Sequence, residues 1–206
     1  MAITWNETVQ VSEAGQHWME YRSTVYELLI DFLGNRLSLS LIADWSRDSR
    51  MKRVAEQYEA AGEIMNYIGG RSPEELWRLY QAESAAYDLL LQQFQPRQAT
   101  QSHYVNEGCP QDVAECYATE GIAFNKLQGE TDDHIAVELE FMTLLHDRML
   151  DRSSCEHNMR YWMMVQESFL QEHLLRWAPS LCRDVRSSTN SPLYHGLVDL
   201  LDEFLV

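Results

Sequence analysis

In the stretch ETDDHIAVELEFMTLLHDRM, residues 130–149, acids and a histidine crowd the opening of a segment that is otherwise apolar. Asp133, His134 and Glu138 stand where a helix would place its core. At 100° per residue, with His134 as origin, Val137, Phe141, Leu144, Leu145, Met149 and their apolar neighbours fill an arc of roughly 240°. Only a narrow polar strip remains, made by Asp133, Ala136, Glu140, Thr143 and Asp147. His134 lies near the middle of the apolar arc, and Glu138, four residues on, stacks on the same face. Three chemistries fit such a pair. It can be a mutually satisfied core pair, with Asp132 or Asp133 capping the helix and complementing its dipole. It can bind a metal if a further ligand joins it, for which His103, Cys109 and Cys116 are nearest in the chain. It can move protons as general acid and base. No nucleophile elbow, Gly-rich phosphate loop or H-E-x-x-H motif accompanies it.

The elements that must position these residues read as helices from end to end. Apolar residues recur at three- and four-residue spacing, and no window shows sustained alternation of β-branched residues, which predicts an all-α bundle of about nine or ten helices. An early helix carries Trp18, Tyr21, Val25, Tyr26, Leu29 and Leu33 and stops at Gly34-Asn35, a pair that tolerates a left-handed C-cap. A short helix follows over Leu37 to Trp45, and another over Met51 to Ile68, closed by Gly69-Gly70. In SPEELWRLY, Ser72 is an N-cap, Pro73 takes the first helical position and Glu75 completes a capping box for a helix running towards Phe94. QPRQATQSHYVNEGCP, with two prolines and a glycine, reads as an ordered surface loop. Further helices are expected from Pro110 to about Phe124, from near Asp132, over Cys155 to His173, over Leu174 to Arg186, and from the Ser-Pro start at Ser191. The division expected is an N-terminal helical part over 1–129 and a C-terminal part over 130–206, with Gly129 and Glu130 as a hinge, unless the two form one compact domain.

Charge narrows the partners. Sixteen Lys and Arg against 32 Asp and Glu leave a net charge of −16 in 206 residues, a field that repels nucleic acid and anionic membrane and favours a cationic peptide. MAITWNETVQ has no basic region followed by an apolar run, and no segment approaches the ~18 apolar residues of a membrane span, so a cytoplasmic protein is expected. Cys109, Cys116, Cys155 and Cys182 are too few and too scattered for a disulfide framework and form no C-x-x-C, so reduced structural thiols are expected. Tyr104, Tyr117 and Trp177, at helical spacing, read first as core packing. Glu107, Asp112, Glu115 and Glu120 read first as a solvated face close to the hinge.

The string E-x-x-D-H-I-x-x-E-L-x-F-M, formed by Glu130, Asp133, His134, Ile135, Glu138, Leu139, Phe141 and Met142, resembles the signature of the TorD/DmsD chaperones for molybdenum redox enzymes. CYATEGIAF upstream stands where that family has a tyrosine and a glycine before the signature. Phe169, His173, Leu174, Trp177 and Tyr194 are similar to its F-x-x-x-H-L-x-x-W helix and terminal helix. The likeness covers about the last hundred residues well and the first hundred loosely. QATQSHYVNE keeps the Ser102 and Tyr104 of the family's loop without its paired prolines. The resemblance implies a cytoplasmic, non-enzymatic, cofactor-free chaperone, monomeric or dimeric, that binds the twin-arginine signal peptide of a redox enzyme's catalytic subunit. It would hold that subunit back from export until molybdopterin is loaded. Asp132, Asp133, His134, Glu138, Tyr104, Tyr117 and Ser102 are the peptide-contact residues it points to, since arginine pairs bidentately with carboxylate and an apolar leader segment needs a groove between helices. The alternative is a metal-binding or hydrolytic helical enzyme centred on His134 and Glu138.

Overall fold

The computed structural model describes residues 13–93, 99–105, 110–125, 130–150 and 156–205. Every regular element in them is helical: α1 (Glu13–Gly34), α2 (Leu39–Arg47), α3 (Met51–Ala55), α4 (Glu59–Ile68), α5 (Pro73–Gln93), α6 (Gln101–Tyr104), α7 (Pro110–Thr119), α8 (Ile135–Leu150), α9 (Glu156–Phe169), α10 (Leu175–Ser188) and α11 (Pro192–Leu205), with a π-helical turn over Leu170–Leu174 joining α9 to α10. Among the described residues the sole strand-type contact is an isolated antiparallel bridge between Thr100 and His134.

Local chemistry sets most of the boundaries. Ser72 and Glu75 form the capping box, with the Ser72 N–H donating to Glu75 Oε2 at 2.7 Å and the Glu75 N–H donating to Ser72 Oγ at 3.3 Å. Ser38 and Ser191 cap α2 and α11 by accepting from the backbone N–H groups of Leu41 and Tyr194. α7 closes with a left-handed Gly121 at φ +69°, where Ile122 N–H reaches Tyr117 C=O and Gly121 N–H reaches Ala118 C=O, the paired bonds of a Schellman cap. The glycine of CYATEGIAF is therefore a helix stop.

Several boundaries depart from the expected ones: α7 stops at Thr119 rather than near Phe124, and the expected surface loop contains α6 with Thr100 and Gln101 buried. Met51 to Ile68 is two helices, because Tyr58 takes an extended backbone, φ −126° and ψ 122°. The break lets its ring meet Tyr21 and Phe204 edge-on at 6.3 and 5.9 Å. Gly34 is not left-handed, since positive φ among the described residues is confined to Gly70 and Gly121. Its lack of a side chain serves a close approach, as a Cβ there would lie 2.6 Å from that of Ala136 in α8. The signature helix starts at Ile135 rather than near Asp132, because the backbone of Asp133 and Ile135 is spent on pairing with residues 99–101.

α8 is the central helix. Ile135, Val137, Leu139, Phe141, Met142 and Leu145 are buried, along with Glu138 and His146. Leu144, placed in the apolar arc by its angle, is 39% exposed instead. α1 packs along α8, α4 along α11, and α10 along α11, so helices from both sides of residue 130 contribute to one hydrophobic core. Arg186 ties α10 to α11 by bonds of 2.6 Å to both Asp199 and Asp202. Substituting Gly34→Ala should push α1 away from α8 and cost about 1–3 kcal/mol. A thermal melt monitored by circular dichroism checks this, and a melting temperature equal to wild type contradicts the close-packing role.

Candidate functional site

Residues 99–105 and 131–138 interlock. The Gln101 N–H donates to Asp133 C=O and the Ile135 N–H donates to Ala99 C=O, each at 2.9 Å, and these two bonds frame the antiparallel bridge between Thr100 and His134. The Ser102 N–H then donates to Asp133 Oδ2 at 2.8 Å. These contacts bury Thr100 and Gln101 beneath the surface and leave Asp133 with no exposed area. The expectation that Asp133 lies on the polar strip of the helix is thus corrected: its carboxylate holds α6 in place from inside.

The expected pairing of His134 with Glu138 gives way to two separate arrangements. Glu138, fully buried, accepts a hydrogen bond at its Oε2 from Trp177 Nε1–H at 3.3 Å. His134 Nδ1 accepts from the Ala136 backbone N–H at 3.2 Å, which puts the proton of the neutral ring on Nε2. Burial holds the Glu138 carboxyl well above the ordinary range, against the Trp177 hydrogen bond and with a further upward push from Asp133. Burial lowers His134, opposed by Glu130 and Asp133. Glu138 therefore favours its protonated form and His134 its neutral one.

Tyr117 closes the floor. Its hydroxyl donates to Asp132 C=O at 2.8 Å, and its ring meets Phe141 at 4.7 Å and Phe124 at 5.0 Å. Burial, then the charges of Glu138, Asp132 and Asp133, raise its pKa. Tyr104, half-buried, stacks on Trp177 with centroids 5.8 Å apart and planes 22° from parallel. Ser102 is exposed while Asp132 and Glu130 are half-buried. All the expected contact residues thus gather around one junction, several of them facing inward. Gly129, and with it the hinge proposed there, lies outside the described residues, as do Glu107, Cys109 and Cys155.

Gln101, which the sequence reading passed over, is the residue that links this junction to α7 and the π turn. Its Oε1 lies 3.0 Å from His173 Nδ1, and His173 Nε2 lies 3.4 Å from Cys116 Sγ. Polar residues preceding Tyr104 carried no periodic signal, so its burial was not legible. The order thiol, imidazole, amide is that of a nucleophile, base and orienter. The electrostatics run the other way: burial and the acids Glu172, Asp112, Glu115 and Glu120 raise the Cys116 thiol, and burial lowers His173. A protonated thiol in an acidic setting is the opposite of an activated cysteine. Among the described residues no three His, Cys, Asp or Glu side chains are placed to hold a metal ion.

Comparison with known proteins falls on this same region. The family model described as nitrate reductase delta subunit matches residues 95–183. The chain is 32% identical over 107 residues to the chaperone protein TorD of Photobacterium profundum, covering 50% of this chain and 48% of that one. It is 30% identical over 88 residues to the chaperone protein TorD of Vibrio atlanticus, covering 41% and 40%. To the perchlorate reductase assembly chaperone protein of Dechloromonas aromatica it is 25% identical over 89 residues, covering 43% and 40%. The matched stretch spans less than half the length of each of these curated relatives. No solved structure matches the chain. The fold is all-helical among the described residues, and the stretch matched by the family model contains the whole junction. In part of its length the chain is thus similar to the TorD chaperones and, over residues 95–183, to the family that model describes.

Two stability measurements test the site. Glu138→Ala leaves the buried Trp177 N–H without its acceptor and should cost about 1–3 kcal/mol, whereas Glu138→Gln keeps an acceptor and should stay close to wild type at acid pH. The pH dependence follows from linkage. Because the folded carboxyl is raised above its ordinary value of 4.5, the native state keeps a proton the unfolded state has lost, and wild type loses stability as pH rises from about 4.5 through the folded pKa. Denaturant titrations should show Glu138→Gln gaining on wild type between about pH 5 and 8, and a constant difference across that range contradicts a protonated Glu138.

Proposed function

We propose that this protein is a cytoplasmic chaperone that binds the twin-arginine signal peptide of a molybdenum oxidoreductase's catalytic subunit and delays its export until the cofactor is inserted. The observation that carries the reading is positional: the stretch that matches the nitrate reductase delta subunit family model, residues 95–183, holds Ser102, Tyr104, Tyr117, Asp132, Asp133, His134 and Glu138 around one junction. The TorD chaperones and the perchlorate reductase assembly chaperone are the relatives whose names bear on it.

The chemistry of the chain supports the same partner. A net charge of −16 raises the local concentration of a basic leader and speeds its encounter. Asp112 and Glu115 on α7 are exposed, available to guide adjacent arginines towards the junction. A guanidinium matches a carboxylate in two parallel hydrogen bonds, so a leader with two arginines gains geometry as well as charge. The protein acts by binding and release, which fits a site whose thiol is held protonated. No described helix is long and apolar enough to cross a membrane.

Titration calorimetry with a synthetic leader carrying two adjacent arginines tests the proposal. Affinity should fall as salt is raised from low to physiological, because exposed charges are screened over about 8 Å. Replacing both arginines by lysine should weaken binding by about tenfold or more, since the bidentate geometry is lost. Equal affinity for a leader with neither arginine nor lysine at that position contradicts arginine recognition.

A further inference from the structure

The antiparallel bridge between residues 99–101 and 133–135 is an oddity in a helical protein, and it is imperfectly filled. Asp133 Oδ1, Glu138 Oε1 and Gln101 Nε2 are all buried without a hydrogen-bond partner. Asp133 and Glu138 have no exposed area, and each satisfies one carboxyl oxygen only, through Ser102 N–H and Trp177 Nε1–H. Buried polar atoms are almost always paired, so the half-satisfied Asp133 carboxylate marks a place where a donor is wanting, beside a Glu138 whose protonated carboxyl is itself incompletely paired. The segment that pairs with Asp133, Ala99-Thr100-Gln101-Ser102, supplies backbone N–H groups but no cationic side chain.

We infer that Ala99–Gln101 is an internal stand-in for an extended peptide, occupying a strand-accepting edge at Asp133–Ile135 that the leader takes over by displacing it. The inference rests on the leader-binding reading above. Antiparallel main-chain pairing is indifferent to sequence, so in an incoming extended peptide the residues before and after the one opposite His134 can accept from the Ile135 N–H and donate to the Asp133 C=O, as Ala99 and Gln101 now do. What the incoming peptide adds is guanidinium N–H groups for Asp133 Oδ1, which the internal segment leaves without a donor. Removal of the segment also breaks the Gln101–His173 contact and unstacks Tyr104 from Trp177, so occupancy by a leader is reported to α7 and α10. Recognition is thereby a competition: the acids of the signature are closed until a ligand with better donors displaces the chain's own segment.

Amide exchange on the full chain, read residue by residue by NMR with and without a saturating twin-arginine leader, tests this. The amides of Gln101 and Ser102 should exchange at least about tenfold faster with leader bound, while that of Ile135 stays protected by the peptide. A companion variant, Gln101→Pro, removes the Gln101 N–H at the first position of α6, where proline is compatible, and Thr100 before it is already extended at φ −129° and ψ 146°. Loosening the stand-in should tighten leader binding by about three- to tenfold. Leader binding that leaves the protection of Gln101 and Ser102 unchanged or raised overturns the displacement and leaves the leader reading standing, as does weaker or equal affinity of Gln101→Pro. A leader that binds neither protein overturns both.

Discussion

The antiparallel contact between Ala99–Gln101 and Asp133–Ile135 is the constraint on which the polar centre of this molecule depends. A helix can satisfy its own backbone everywhere but at its ends, and α8 begins deep inside the core, where water cannot reach its first N–H groups. The answer here is to bring in a second piece of backbone. Ala99 C=O serves the Ile135 N–H, and the His134 ring serves the Ala136 N–H. The Asp133 carboxylate, which an exposed helix start would use as a cap, is turned instead to the Ser102 N–H. Side chains suited to capping are thus employed in holding two segments together.

From that junction the couplings run outward in three directions. Gln101 reaches His173 in the π turn, and His173 reaches Cys116 in α7. A π turn adds a residue to the helical register, and this one, between α9 and α10, holds the largely buried His173 close to Gln101. Trp177, one turn further on, donates to Glu138 on its edge and stacks Tyr104 on its face. Tyr117 locks Asp132 from below. Each of these side chains spans two elements, so residues 99–102 are linked to α7, α8 and α10 together.

Much of the fold was legible because local signals agree with the global packing. The Ser72–Glu75 capping box, the Ser191-Pro192 start and the enclosed character of α8 are all as the residues dictate. What misled was contact at long range. Periodicity carries Met51 to Ile68 as one helix, but the Tyr58 ring is worth more between Tyr21 and Phe204 than a continued helix is. Gly34-Asn35 looks like a left-handed cap, while the true demand is the 2.6 Å approach to Ala136, a hundred residues away. At the site, i,i+4 spacing linked His134 to Glu138, and only the tertiary structure shows Trp177 intervening as the partner of Glu138. The polar run that ends in Gln101 and Ser102 gave no hint that its backbone enters the core.

Photo-crosslinking is the direct measurement of where a leader sits. A synthetic twin-arginine leader carrying a photoreactive residue next to the arginines, irradiated with the intact protein and mapped by mass spectrometry, should label residues 130–138 and the neighbouring Ser102 and Tyr104. Labelling confined to the exposed Met163 and Met164 of α9, or to the hollow beside α4 and α11 lined by Arg71 and His195, would place recognition elsewhere and contradict the account.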